Sequence, residues 1–143
     1  MSEAIANWCR SLGSTHDVSV MKGATVVCWD SRFLVRAGQI LRDLGYGVVA
    51  DEQFLQLREG GRLFTMYPDG ESLKYLTEDL DPMEHPELFR DDARDFQVEC
   101  RWEELFCRIV RSLAEGTEGK LIVIDGDNVV WDARSLDPER ISL

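Results

Sequence analysis

Residues 96–115, FQVECRWEELFCRIVRSLAE, carry the strongest helical pattern of the chain. Apolar side chains recur there with the spacing of one helix face, at Trp102, Leu105, Phe106, Ile109, Val110 and Leu113. Gly116 follows and is suited to end a helix. The pattern therefore predicts a long amphipathic helix over 96–115 that buries one face.

A second amphipathic helix is predicted over 32–44. Its apolar face comprises Phe33, Leu34, Ala37, Ile40, Leu41 and Leu44. Asp30 or Ser31 offers an N-cap oxygen, and Gly45 suits the left-handed position after the last turn. A shorter helix over 2–12 follows from the same kind of pattern, at Ile5, Trp8, Cys9 and Leu12.

Short strands separated by turn residues occupy most of the remaining chain. We predict strands at 17–21, 24–29, 48–50, 53–58, 62–67 and 72–77, and a closing hairpin of 120–124 with 129–132. Two reversals are expected, at Glu59-Gly60-Gly61 and at Tyr67-Pro68-Asp69-Gly70. Residues 72–80 also fit a helix, because three leucines share a helical face there.

These elements predict one α+β domain over 1–143, with two layers: a mainly antiparallel sheet and helices packed on one of its faces. A chain of 143 residues with 44% hydrophobic residues can bury a core without a metal or disulfide. The residues expected in that core include Phe33, Ile40, Val27, Trp102, Phe106, Ile109, Ile122 and Val130.

No cofactor or metal site is expected. None of the four cysteines (Cys9, Cys28, Cys100 and Cys107) belongs to a C-x-x-C pair, and the chain has only two histidines. We expect all four thiols to be free. No nucleophile motif or phosphate-binding loop is present, so we expect a protein that is not an enzyme.

The most enzyme-like stretch is Ile124-Asp125-Gly126-Asp127-Asn128. It resembles the metal-binding opening strand of PIN-like and NYN-type nucleases, in which carboxylates at strand ends hold Mg²⁺. Those folds place the motif first, whereas it stands near the end of this sequence. The same residue types are selected by a tight hairpin turn, and we favour the hairpin.

Charge is distributed unevenly along the chain. The net charge is −11, and residues 78–104, with eleven acids and three bases, hold −8 of it. A phosphate backbone or an anionic membrane requires a basic surface, so neither nucleic acid nor membrane is expected as a partner. The acidic segment is either a solvated face or a surface for a basic protein. The candidate partner-binding residues are Asp79, Asp81, Glu84, Glu87, Asp91, Asp92 and Asp95.

The architecture resembles that of immunity proteins of bacterial polymorphic toxin systems. The resemblance rests on SRFLVRAGQILRDLGYGVV (31–49), EQFLQLREGGRLFTMYPDG (52–70), RWEELFCRIVRSL (101–113) and KLIVIDGDNVVWDA (120–133). It implies a small, acidic, non-enzymatic protein that binds a cognate toxin domain and occludes its active site, and it assigns no individual residue.

Two other binding functions are weighed beside it. An acidic secretion chaperone would bind an extended effector segment, although the closing order of elements here differs. A DNA-mimicking inhibitor would spread its acids along an axis, whereas these acids cluster. The first ten residues, MSEAIANWCR, lack the pattern of a secretory signal. We therefore expect a cytoplasmic, bacterial-type protein.

Overall fold

The computed structural model describes residues 22–70 and 72–143. They form an α+β fold, as predicted. The strands are β1 (Gly23–Cys28), β2 (Val48–Ala50), β3 (Leu55–Glu59), β4 (Arg62–Pro68), β5 (Arg94–Glu99), β6 (Ile122–Ile124) and β7 (Val130–Asp132). The α-helices are α1 (Phe33–Asp43), α2 (Ser72–Leu76) and α3 (Glu103–Gly116), and 3₁₀ turns cover Thr77–Asp79, Pro86–Phe89 and Ala133–Ser135. The predicted helix 2–12 and strand 17–21 lie outside the described residues.

The seven strands of the described residues join one sheet in the order β2-β3-β4-β5-β1-β6-β7, and every neighbouring pair is antiparallel. This alternation makes β1 parallel to β2, and β5 parallel to β6. Parallel strands require a crossover connection, usually a helix. Here α1 connects β1 to β2, and α3 connects β5 to β6.

Helices α1 and α3 share one hydrophobic core with a single face of the sheet. Alternate residues of β1 point into this core, namely Ala24, Val26 and Cys28, because successive side chains of a strand face opposite sides. The rings of Phe33 on α1 and Phe96 on β5 meet there at a centroid distance of 5.2 Å. The prediction that both long helices pack on one face is confirmed.

Five of the eight residues predicted to be buried are buried: Val27, Phe33, Phe106, Ile109 and Ile122. The other three, Ile40, Trp102 and Val130, are half-buried at the margins of their clusters. Val27, Ile122 and Val130 contribute to a second, smaller cluster on the opposite face of the sheet. That face is therefore covered in part as well.

The predicted start of the long helix at residue 96 is wrong. Residues 94–99 form β5, the partner of both β1 and β4. Phe96 and Val98 point into the core while Gln97 and Glu99 are half-buried on the other side, which is the period-two alternation of a strand. The helix begins at Glu103, and Cys100 precedes it.

Residues 72–77 are not a strand, and the helical alternative for 72–80 is correct. Helix α2 continues directly into the 3₁₀ turn Thr77–Asp79. Leu73, Leu76 and Leu80 all pack against the second cluster. The helical spacing of these three leucines therefore predicts the observed structure better than the β propensity of the segment does.

An ion-pair network ties the β3–β4 turn to α3. Arg108 makes a bidentate contact with Glu59, at 2.6 and 2.8 Å, and its Nε donates to Glu104 at 2.8 Å. Arg62 bridges the same two carboxylates. Hydrogen bonds from Arg108 and then Arg62 lower the pKa of Glu59 from an ordinary 4.5 to about 2. The four side chains of this network pair with one another, and their role is to hold the β3–β4 turn against α3.

Candidate partner-binding surface

Strands β4 and β5 are neighbours in the sheet, yet a long connection separates them in the sequence. We call residues 72–93 of that connection the acidic excursion. It crosses the face of the sheet opposite α1 and α3, and α2 contacts both β1 and β5. Seven of its residues are acids, against the two bases Lys74 and Arg90.

Apolar packing holds the acidic excursion on the sheet. Leu88 is buried against Val27, Ile122 and Ile124. The half-buried side chains around this contact are Trp29, Leu73, Leu76, Leu80, Ala93 and Val130. Burial of a leucine contributes about 1.5–3 kcal/mol. The excursion is thus a packed layer rather than a loose loop.

Polar contacts fix both ends of this layer. Asp95, at the start of β5, accepts hydrogen bonds from the backbone N–H groups of Gly70 (3.2 Å) and Leu73 (3.1 Å). At the far end, the indole Nε1 of Trp29 donates to the Glu87 carbonyl at 3.2 Å. Lys120 Nζ lies 3.3 Å from the Glu87 carboxylate. The acids between these points are therefore held at defined positions.

Most acids of the layer face outward. Glu78, Asp79, Glu84 and Asp91 are exposed, and their carboxylates form no hydrogen bond or ion pair within residues 22–70 and 72–143. Like charges at this density repel one another, which destabilises the compact state unless a cation relieves them.

The predicted site residues fall into two groups. Asp79, Asp81, Glu84, Asp91 and Asp92 are exposed on the acidic excursion. Asp81 also accepts a hydrogen bond from the Met83 N–H at 2.8 Å, which caps the turn, and Asp92 pairs with Arg90 at 2.8 Å.

Glu87 and Asp95 are occupied within the chain. Glu87 is half-buried, and hydrogen bonds from its own backbone N–H and then from Lys120 lower its pKa. Asp95 is only 7% exposed, and both its oxygens accept backbone N–H groups. Asp95 therefore belongs to the support of the layer and does not contribute to an outer surface, contrary to the prediction.

Sequence reasoning missed the apolar residues that interrupt the acids. Tyr75, Met83 and Phe89 are exposed on the acidic excursion. Met83 lies between Asp81 and Glu84, and Phe89 precedes Asp91 and Asp92 by two and three positions. For Met83 and Phe89 the signal was present in the sequence, because these apolar residues lie outside every predicted helix and strand.

The Asp-rich stretch after β6 forms a hairpin turn, as favoured from its sequence. The Asp125 carboxylate accepts four hydrogen bonds, from the N–H groups of Asp127 (2.9 Å), Val129 (3.0 Å) and Ser142 (3.3 Å) and from Trp131 Nε1 (2.9 Å). Asn128 takes the left-handed conformation, with φ of 63°. Asp125 thus organises the turn and ties down the last residues of the chain.

The cysteine thiols of the described chain are free and buried, at Cys28, Cys100 and Cys107; Cys9 lies outside it. Loss of hydration on burial raises the pKa of Cys28 and of Cys107 to about 11 and also raises that of Cys100. Cys28 lines a cleft of about 610 Å³ between α1 and the α3–β6 loop. With its proton held so strongly, this thiol is a poor nucleophile.

Within residues 22–70 and 72–143, no group of three or more His, Cys, Asp or Glu side chains is arranged to hold a metal ion. None of the helices in these ranges is long and apolar enough to cross a membrane. Comparison of the chain with protein-family models, with curated proteins and with solved structures gave no match.

Proposed function

We propose that this chain is a non-enzymatic binding protein that uses the acidic excursion to engage a protein with a basic surface. The observation that carries the proposal is the outward set of unpaired carboxylates on a packed layer. A preorganised surface loses little conformational freedom when a partner binds. Its field also steers a basic partner toward it during diffusional encounter.

Among binding functions, neutralisation of a cognate toxin domain fits this surface best. A packed acidic layer suits a folded basic domain, whose standard interface covers roughly 800 Å² of each partner. Many toxin domains that act on nucleic acids need a basic active-site surface, because their substrate is a polyanion. An acidic protein bound over that surface excludes the substrate. This proposal places the protein in the cytoplasm, with the toxin domain as its partner.

The test uses the protein encoded immediately upstream of this chain's gene. Expressed alone in a bacterial host, that protein is expected to arrest growth, and co-expression of this chain is expected to restore it. Growth arrest that persists during co-expression, or an upstream protein without toxicity, would contradict the immunity function.

Two matched variants connect the rescue to the surface. The excursion-neutral variant carries Glu78→Gln, Asp79→Asn, Glu84→Gln and Asp91→Asn. The remote-neutral variant carries Glu115→Gln, Glu118→Gln, Asp127→Asn and Glu139→Gln, four exposed carboxylates elsewhere. Each removes four negative charges. The first is expected to weaken rescue and the second to preserve it, and equal rescue by both would count against the acidic excursion.

A further inference from the structure

Large apolar side chains are exposed among the acids of the excursion. In the described parts of the chain, Met83 is 88% exposed and Phe89 is 40% exposed. Single exposed apolar residues are common on protein surfaces. These two differ because the layer that carries them is fixed by Leu88, by Asp95 and by the contacts of Glu87.

Met83 and Phe89 lie close enough for one partner to contact both. The N–H groups of Glu84 and His85 both donate to the Asp81 carbonyl, so the chain around Met83 turns back on itself. Pro86–Phe89 is a 3₁₀ turn, which rises about 2 Å per residue. Their Cα atoms are thus separated by about 15 Å or less, within the width of roughly 30 Å of a standard interface.

The surrounding charge indicates what covers these side chains. Asp81, Glu84, Asp91 and Asp92 flank them in the sequence and are all exposed. A purely apolar partner would leave these carboxylates desolvated and unpaired, which is costly. A partner whose lysines and arginines surround an apolar patch would satisfy both features.

We propose that Met83 and Phe89 are the apolar anchors of this surface and that they select, among basic proteins, one that presents an apolar patch framed by positive charge. This inference rests on the proposed function and assigns separate roles to the acids and to the apolar anchors. The acids set the association rate, and the anchors set the dissociation rate. Interface energetics commonly divide in this way, with buried anchors at the centre and charges at the rim.

The experiment uses two fluorescent 18-residue helical peptides of equal positive charge. One combines lysine with leucine along one face, and the other replaces every leucine by glutamine. Fluorescence anisotropy at one fixed salt concentration gives both affinities. We expect the wild type to prefer the lysine–leucine peptide by about tenfold, and the Met83→Ser/Phe89→Ser variant to bind both peptides nearly equally.

The matched control is Val49→Ser/Val129→Ser, which removes two exposed valines outside the excursion, 63% and 48% exposed. This variant is expected to keep the full preference. Preference that survives in the Met83/Phe89 variant, or is absent from the wild type, would overturn the anchor proposal.

The excursion-neutral variant distinguishes this failure from failure of the proposed surface. If it binds both peptides more weakly than the wild type does, while the wild type shows no preference, only the anchors are refuted. If it binds both peptides as tightly as the wild type, the acidic surface itself is refuted.

Discussion

Replacement of Asp125 by alanine is expected to destabilise the protein strongly. The side chain is only 4% exposed, and its two oxygens accept four hydrogen bonds. Two donors, the N–H groups of Asp127 and Val129, belong to exposed residues and can form hydrogen bonds with water instead. The other two, Trp131 Nε1 and the Ser142 N–H, belong to half-buried residues.

The magnitude follows from these donors. Loss of a hydrogen bond whose donor rehydrates costs about 1 kcal/mol, and a buried donor left unpaired costs about 1–3 kcal/mol. The sum for Asp125→Ala is about 4–8 kcal/mol. That is a large part of the roughly 5–15 kcal/mol that stabilises a typical domain.

Urea denaturation of the wild type and two variants measures this directly. With a slope of about 2 kcal/mol per molar urea, the midpoint of Asp125→Ala should fall by about 2–4 M. Asp127→Ala is the control from the same turn, because this carboxylate is exposed and accepts no hydrogen bond within the described residues. It should change the free energy of unfolding by less than about 0.5 kcal/mol.

The turn assignment also predicts that Mg²⁺ at millimolar concentration leaves the wild-type midpoint unchanged, since a ligand stabilises the state that binds it. A loss below about 1 kcal/mol in Asp125→Ala would refute the hydrogen-bond reasoning. A marked stabilisation by Mg²⁺ that depends on Asp125 would instead favour a metal site.

Three further predictions follow from the packing and the pKa values. Leu88→Ala should lower the free energy of unfolding by about 2–4 kcal/mol and speed hydrogen exchange in the acidic excursion; a smaller change would mean that the layer is loosely packed. Because the pKa of Glu59 is lowered from 4.5 to about 2, its stabilising contribution is complete above pH 4.5 and is lost as the pH falls toward 2. Glu59→Gln should therefore flatten this part of a stability–pH curve, and a curve identical to that of the wild type would contradict the role of the network. In a Cys9→Ser background, no thiol should react with a disulfide reagent at pH 8 until the protein unfolds, and rapid labelling of the native protein would be inconsistent with the burial of the remaining cysteines.

The periodicity of apolar residues correctly predicted which face of each long helix is buried. The apolar patterns of α1 and of residues 103–115 each fit one helix face, and these helices pack where their patterns require. The closing hairpin was also predictable, because its Asp, Gly and Asn residues suit the turn. Local sequence patterns of this strength are sufficient to predict an element that buries one continuous face.

The start of the long helix was mispredicted because a strand-like and a helix-like pattern of apolar residues overlap there. Phe96, Val98 and Cys100 alternate as in a strand, but the helical pattern that begins at Trp102 masked this alternation. Strand β5 is defined by pairing with β1 and β4, which are distant in the sequence. A short stretch of sequence does not show which distant strands will pair with it.

The candidate site was predicted as a segment but not as a surface. Charge density located residues 79–95, and five of the seven named acids are exposed there. The sequence did not distinguish Asp95, whose burial depends on backbone N–H groups of a distant turn, from its exposed neighbours. Nor did it show that leucines from the same segment hold the layer against the sheet.

The most direct test of the central claim is the association rate of this chain with the upstream-encoded protein as a function of ionic strength. Two unit charges about 10 Å apart in water interact by about 0.4 kcal/mol, reduced only slightly by screening at about 0.01 M salt. Removal of four should cost more than 1 kcal/mol of steering in total, roughly a tenfold slower association. At about 0.5 M salt the difference should nearly vanish.

We predict this slowing for the excursion-neutral variant and much less for the remote-neutral variant, with both variants folded at the assay temperature. Equal association rates for the two variants at low salt would contradict the claim that the acidic excursion binds a basic partner.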